Sequence, residues 1–361
     1  MQRSTPLEEI TVSNKWNWGS VRLITLLCAP MALGVTACTS EEGPTEPPAS
    51  TRPELAAAKP YTAVDLGVLG GPSQFASFSI AVDINSAGQV VGQSSERPGA
   101  ISSRPFLWEK GVMTDLGTLG GNIGGATGIN PAGEVVGWSF ILPSSPANAP
   151  HAFLWKNGVM TDLGTLGGPA SMAKDINPAG QVVGLSQIGG GISAPDVFLW
   201  EKGVMTDLGI GGLFLETLAG INPAGRVVAG GVLWDNGVAT DLGTLGGCCT
   251  FANAINPAGQ VVGYSYLPGN EVHHAFVWQK GVMTDLGTLS GNSEARDINS
   301  RGQIVGQSGF RAFVWEKGVM TELVSLDRRF DSAANAINAA GQIVGYSNTE
   351  AQDRATLWTR K

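Results

Sequence analysis

From His151 to Gly168 the chain reads HAFLWKNGVMTDLGTLGG, and close variants of this phrase return along most of its length. The phrase divides into parts with different backbone demands. HAFLW is apolar on both faces when extended, because successive side chains of a strand alternate: Phe153 and Trp155 point one way, Leu154 the other. Lys156-Asn157-Gly158 is a tight hairpin signal, since asparagine and glycine tolerate positive φ. VMTDLG then reads as a second strand. Upstream lies another hairpin, in which a short strand ending in IN meets a turn such as Asn177-Pro178-Ala179-Gly180 and then QVVG. Proline presets φ at the second turn position and glycine accepts the left-handed region at the fourth. One unit is therefore four strands, a to d, in an antiparallel meander.

Three landmarks each occur seven times. The turn asparagines are Asn85, Asn130, Asn177, Asn222, Asn256, Asn299 and Asn338. The strand-c tryptophans are Trp108, Trp155, Trp200, Trp234, Trp278, Trp315 and Trp358, whose regular spacing fits packing between units better than a ladder for ligands. The strand-d acids are Asp65, Asp115, Asp162, Asp207, Asp241, Asp285 and Glu322. Residues 61–361 thus hold seven units of about 43 residues, the period of a propeller or solenoid. Sheets apolar on both faces must stack on one another, which favours propeller blades. The ends agree. The last unit stops after strand c, at RATLWTRK (Arg354–Lys361), whereas YTAVDLG (Tyr61–Gly67) is a strand d with no unit before it. A ring closes if the first strand completes the last blade, and an open solenoid gains nothing from that offset. The expectation is an all-β, seven-bladed propeller closed by its N-terminal strand, with an open all-β solenoid as the alternative.

The first sixty residues are of another kind. Leu23–Ala37 is an apolar run behind Arg22, short for a membrane span and suited to a signal peptide. It ends in VTAC (Val35–Cys38), which resembles the lipobox of bacterial lipoproteins. That resemblance implies cleavage after residue 37, lipidation of Cys38, and outer-membrane sorting where a cell has one, because no aspartate follows the cysteine. Residues 38–60 are rich in proline and glutamate and read as a disordered tether. The domains are then 1–37 signal peptide, 38–60 tether and 61–361 propeller. A net charge of −8 argues against a nucleic-acid partner, which needs a basic surface. Membrane attachment is expected through the N-terminal lipid alone.

On the phrases His151-Ala152-Phe153 and His274-Ala275-Phe276, the chain resembles the HAF-repeat family of probable extracellular bacterial proteins over Tyr61–Lys361. The resemblance implies a secreted or surface location and brings no defined activity. Arg311 and Arg354 replace the histidine in two units, and Asp196-Val197-Phe198 stands in for it in another.

Function is expected where the units differ. The a–b and c–d turns hardly change, while the b–c loops and d–a connections vary, and these lie on the opposite face of a meander ring. Loops on a rigid scaffold are where binding concentrates. Trp138, Phe140, Tyr264, Tyr266, Phe310 and Tyr346 sit near those loops and suit stacking on sugars or peptide side chains. Trp138 and Tyr266 are the preferred pair. The expected partner is a glycan, a peptide or an envelope protein. The alternative is an exported polysaccharide hydrolase or lyase, but the acids of the d–a connections share no position, and no HExxH, GxSxG or P-loop pattern occurs. No cofactor or metal is expected. His273-His274 beside Glu271 would chelate weakly, because neighbouring strand side chains point apart. The recurring acids are expected to satisfy backbone donors. Cys248 and Cys249, adjacent in one d–a connection, are either a vicinal disulfide or two buried thiols.

Overall fold

The computed structural model describes residues 61–69, 77–96, 102–141, 149–189, 194–212, 217–350 and 352–360. The expected signal peptide, tether and Cys38 lie outside them. The described residues contain no helix. They form seven four-stranded antiparallel sheets in a ring, a seven-bladed β-propeller.

Blade 1 pairs Ser79–Ile84, Val90–Ser95, Ser103–Glu109 and Val112–Asp115 as strands a to d. Blade 2 begins at Gly124–Ile129, blade 3 at Gly167–Ile176, blade 4 at Ala219–Ile221, blade 5 at Thr250–Ile255 and blade 6 at Ser293–Ile298. Blade 7 consists of Ser332–Ile337, Ile343–Asn348 and Asp353–Arg360, completed by Tyr61–Asp65 as its strand d. Tyr61 stands opposite Arg360 and Asp65 opposite Thr356. The closure expected from the offset ends is therefore the observed one. Arg360 secures it, donating to the Tyr61 hydroxyl at 2.7 Å and to Glu316 of blade 6 at 2.6 Å. Trp358 is fully buried, and its indole N–H bonds Val324 O at 2.7 Å.

Each pair of neighbouring blades encloses its own apolar cluster. Phe153, Trp155 and Met160 pack against Val91, Leu107 and Leu116 of blade 1. Leu154 joins Phe198 and Val182 of blade 3. The alternation read from HAFLW thus assigns each side chain to one of two interfaces. The HAF phenylalanines are the deepest members, with Phe106, Phe153, Phe198, Phe276 and Phe313 fully buried. Most of the tryptophans lie at the margins of these clusters.

The turn asparagine holds the ring together. In blade 1 the Asn85 Oδ1 accepts from the backbone N–H groups of Ala87 and Gln89, both at 3.0 Å. Its Nδ2 donates to Gln89 Oε1 and to the carbonyl of Asn130 in the next blade. The same inter-blade bond runs from Asn130 to Asn177, on to Asn222, Asn256, Asn299 and Asn338, and from Asn338 back to Asn85, at 3.1–3.4 Å throughout. Seven identical bonds close a circle around the axis.

Strand a carries a bulge in six blades. In blade 1, Ala81 pairs with Gly92 and Asp83 with Val91, so Val82 is the extra residue. The bulge carries strand a over the glycine of QVVG, where a Cβ would overlap a strand-a carbonyl, as Gly263 would with Phe251 O. Blade 4 has no bulge: Ala219, Gly220 and Ile221 pair in register with Ala229, Val228 and Val227. It is also the blade with alanine, Ala229, in place of that glycine. The bulge residues bridge forward, Thr127 to Ala173 O, Asn253 to Ala295 O and Asn335 to Ala81 O.

The strand-c histidine and the strand-d acid form a pair. His151 Nδ1 lies 2.9 Å from Asp162, and His274 Nδ1 lies 2.9 Å from Asp285. Arg104 meets Asp115 in the same way at 3.0 Å. Each acid also accepts the N–H of the glycine two residues on, as Asp162 does from Gly164. These residues fasten the outer strands, and the acids satisfy backbone donors as expected.

Candidate functional site

The residue after QVVG alternates with buried neighbours and sits at one level around the ring: Gln93, Trp138, Leu185, Tyr264, Gln307 and Tyr346. Trp138, Tyr264 and Tyr346 are therefore one structural position in three blades. Phe140 and Tyr266 are likewise equivalent, two residues further along strand b.

In blade 5 these positions build a wall. Phe251 of strand a pairs with Tyr264 of strand b, and the rings stack at 4.9 Å with 18° between planes. Tyr266 pairs with His273 of strand c. The His273 imidazole lies 4.7 Å from the Tyr264 ring and 5.4 Å from Tyr266. Four rings thus share one face of three adjacent strands, all half-buried. Across from them blade 6 supplies Glu294 and Arg296. Glu294 accepts from Asn253 Nδ2 at 3.2 Å and pairs with Arg296 at 3.6 Å. Arg296 also donates to Asn335 and to Gln307. Burial, with the Glu294 charge beside it, raises the Tyr264 hydroxyl further above its ordinary value. Burial lowers His273, so the imidazole is more readily neutral.

The structure brings Tyr264 and Tyr266 together and sets Tyr346 two blades on, against the far side of the Arg296–Gln307 network. Burial raises the Tyr346 hydroxyl as well. Trp138 and Phe140 belong to blade 2, where they pack edge to face at 6.1 Å. Phe310 stands exposed in the tight b–c turn of blade 6. Cys248 and Cys249 border the blade 5 wall with Sγ atoms 2.7 Å apart; contrary to the buried-thiol reading, Cys248 is exposed and Cys249 half-buried. Cys249 O accepts the Tyr266 N–H at 3.0 Å. Sequence reasoning missed Phe251 and Arg296 and counted Glu294 only among the acids of the d–a connections. All three are strand-a residues, and only the register places them beside the tyrosines.

A second ionisable group lies along the axis. Asp83, Asp175 and Asp297 occupy one strand-a position in blades 1, 3 and 6. Each bridges blades by accepting the next blade's backbone N–H, from Ile129, Ile221 and Ile337 at 2.7–2.9 Å. Burial, then the charges of Asp175 and Asp297, pushes Asp83 up to about 7. Burial takes Asp297 to about 6 and raises Asp175 too. Because their oxygens are committed to backbone donors, these carboxyls are read as ring supports. Among the described residues no group of three or more His, Cys, Asp or Glu is arranged to hold a metal ion.

No protein-family model matches the chain, and no curated protein matches it. Solved structures do. The β-propeller domain of the Trilobed protease from Pyrococcus furiosus, which has an open velcro topology, is 9% identical with a TM-score of 0.51. That match covers 79% of this chain and 96% of that domain. TolB from Acinetobacter baumannii is 14% identical at a TM-score of 0.39, over 80% of this chain and 56% of TolB. Acylaminoacyl peptidase from Pyrococcus horikoshii is 10% identical at 0.46, over 78% of this chain and 51% of the peptidase. This chain therefore spans about half the length of the last two. At such identities the likeness is one of fold.

Proposed function

We propose that this protein is an exported, lipid-anchored recognition propeller of the HAF-repeat type, binding an extracellular or envelope ligand on its variable face without chemically converting it. The observation that carries this reading is the blade 5 wall. Phe251, Tyr264, Tyr266 and His273 gather four half-buried rings at a level where blades 1 and 3 need only Ile80, Gln93, Met172 and Leu185. A contiguous group of partly exposed rings on a rigid scaffold suits stacking against a ligand. The strand-c histidines of blades 2 and 5, by contrast, are spent on the strand-d acids facing them, as Arg104 is in blade 1. Export and anchoring rest on the Leu23–Ala37 run and on Cys38.

The test is capture of envelope fractions by the purified full-length chain, with polysaccharide, peptidoglycan and protein fractions offered separately and reducing ends assayed in parallel. Saturable binding without new reducing ends, weakened in Tyr266→Ala, is the expected result. Release of reducing ends or unsaturated sugar products would overturn it in favour of a hydrolase or lyase.

A further inference from the structure

Building on that recognition reading, we infer that the aromatic wall of blade 5, where it meets Glu294 of blade 6, is a glycan subsite, and that it takes neutral or amino sugars rather than acidic ones. The two sides of this junction are chemically different. Blade 5 offers ring faces from Phe251, Tyr264, Tyr266 and His273. Blade 6 offers Glu294, with Asn253 reaching it from blade 5 and Gln307 behind Arg296.

A pyranose ring fits such a pair of sides. One face of the sugar presents C–H groups, which pack on aromatic faces, while its edge carries hydroxyls that need fixed donors and acceptors. Glu294 and Asn253 are a carboxylate and an amide already held in place by their mutual bond, so little ordering is required when a hydroxyl arrives.

Charge selects among sugars. Arg296 is the cation beside Glu294, and its guanidinium is already paired with Glu294 and bonded to Asn335 and Gln307. A uronate or phosphate entering beside Glu294 meets that carboxylate while the adjacent cation is already engaged, whereas an amino sugar gains from it.

The experiment is calorimetric titration of the full-length chain with cellohexaose, chitohexaose, mannohexaose, hexaglucosamine and an oligomannuronate. Folding of every variant is checked by its melting temperature. At least one of the four neutral or amino oligosaccharides should bind, and the oligomannuronate should not. Tyr266→Ala and Glu294→Gln should each weaken binding about tenfold, while Trp138→Ala, in blade 2, should leave it within about twofold. Loss confined to Trp138→Ala would keep a glycan-binding propeller and overturn the site. Preference for oligomannuronate would overturn the charge argument. Binding of an envelope protein fraction with none of the sugars would overturn the glycan class and leave recognition standing. Failure to bind any sugar or envelope fraction would remove both readings.

Discussion

Asn338 Nδ2 donates to the carbonyl of Asn85 at 3.1 Å, joining residues 253 positions apart in sequence and closing the last gap in the asparagine circle. The same side chain accepts from Ala340 N and Gln342 N at 3.0 Å and donates to Gln342 Oε1 at 2.8 Å. Asn338→Ala should therefore strand buried backbone groups on both sides of the ring closure. The expected cost is about 2–4 kcal/mol, read from denaturant unfolding, and Asn338→Asp should rescue only the part due to the two accepted bonds. A loss below about 0.5 kcal/mol would show that the circle contributes little.

The bulge makes a paired prediction. Gly263→Ala places a Cβ against the Phe251 carbonyl and should destabilise by about 3 kcal/mol or more. In blade 4 the bulge is missing and Ala229 already occupies that position, so Ala229→Gly should cost only about 1 kcal/mol. Equal effects at the two sites would break the link between glycine and bulge.

Acid should stabilise this fold over part of the pH range. A carboxyl whose folded pKa is raised binds more protons when folded than when unfolded, so stability falls as pH rises between the two values. For Asp83 and Asp297 that window runs from about 4 to about 6–7. Melting temperature should accordingly drop between pH 5 and pH 8, and Asp83→Asn should flatten the slope. A wild-type profile that rises across this window would contradict the assigned burial.

Blade 3 lacks the cross-strand pair of blades 1 and 2. Asp196 stands where His151 and Arg104 stand, facing Asp207, and burial followed by that like charge raises its pKa. Asp196→Arg should restore an attractive pair and stabilise by about 0.5–1 kcal/mol, raising the melting temperature by a few degrees at low salt. No gain at low ionic strength would place the blade 3 contact elsewhere.

Cys38 gives a prediction about location. Cys38→Ser should move the protein from the membrane fraction to the soluble exported fraction without altering the melting temperature of the propeller. A wild-type chain found entirely soluble outside the cell would remove the anchor from the proposal.

The architecture was legible because it is written in features local to one unit. The NPAG and KG turns, the alternation in HAFLW and the unmatched Tyr61–Gly67 strand each carry their physics within a few residues. The turn glycines do adopt the left-handed region, Gly180 at φ 79° and Gly158 at φ 84°, with Asn157 at 51°. The purpose of the repeated asparagine was not legible, because its partner lies in the next blade. The bulge was hidden for a related reason: by spacing alone Ala81 and Asp83 share a face, and only pairing with Gly92 and Val91 reveals the extra residue. The candidate site was half visible. Tyr264 and Tyr266 stand out beside a variable loop, but whether Trp138 or Glu294 is their neighbour depends on which blades touch.

The Tyr61–Asp65 strand has a consequence in time. It is the first part of the ring to be synthesised, and its partner Asp353–Arg360 is the last. Six blades can assemble in the order in which they appear, but the seventh waits for Asp353–Arg360. Until then one short strand and the flank of blade 1 stay without neighbours. Folding to the native ring is therefore gated by synthesis of Asp353–Arg360, and a ribosome stalled a few codons before Trp358 leaves a molecule with nearly all of its blades and no closure.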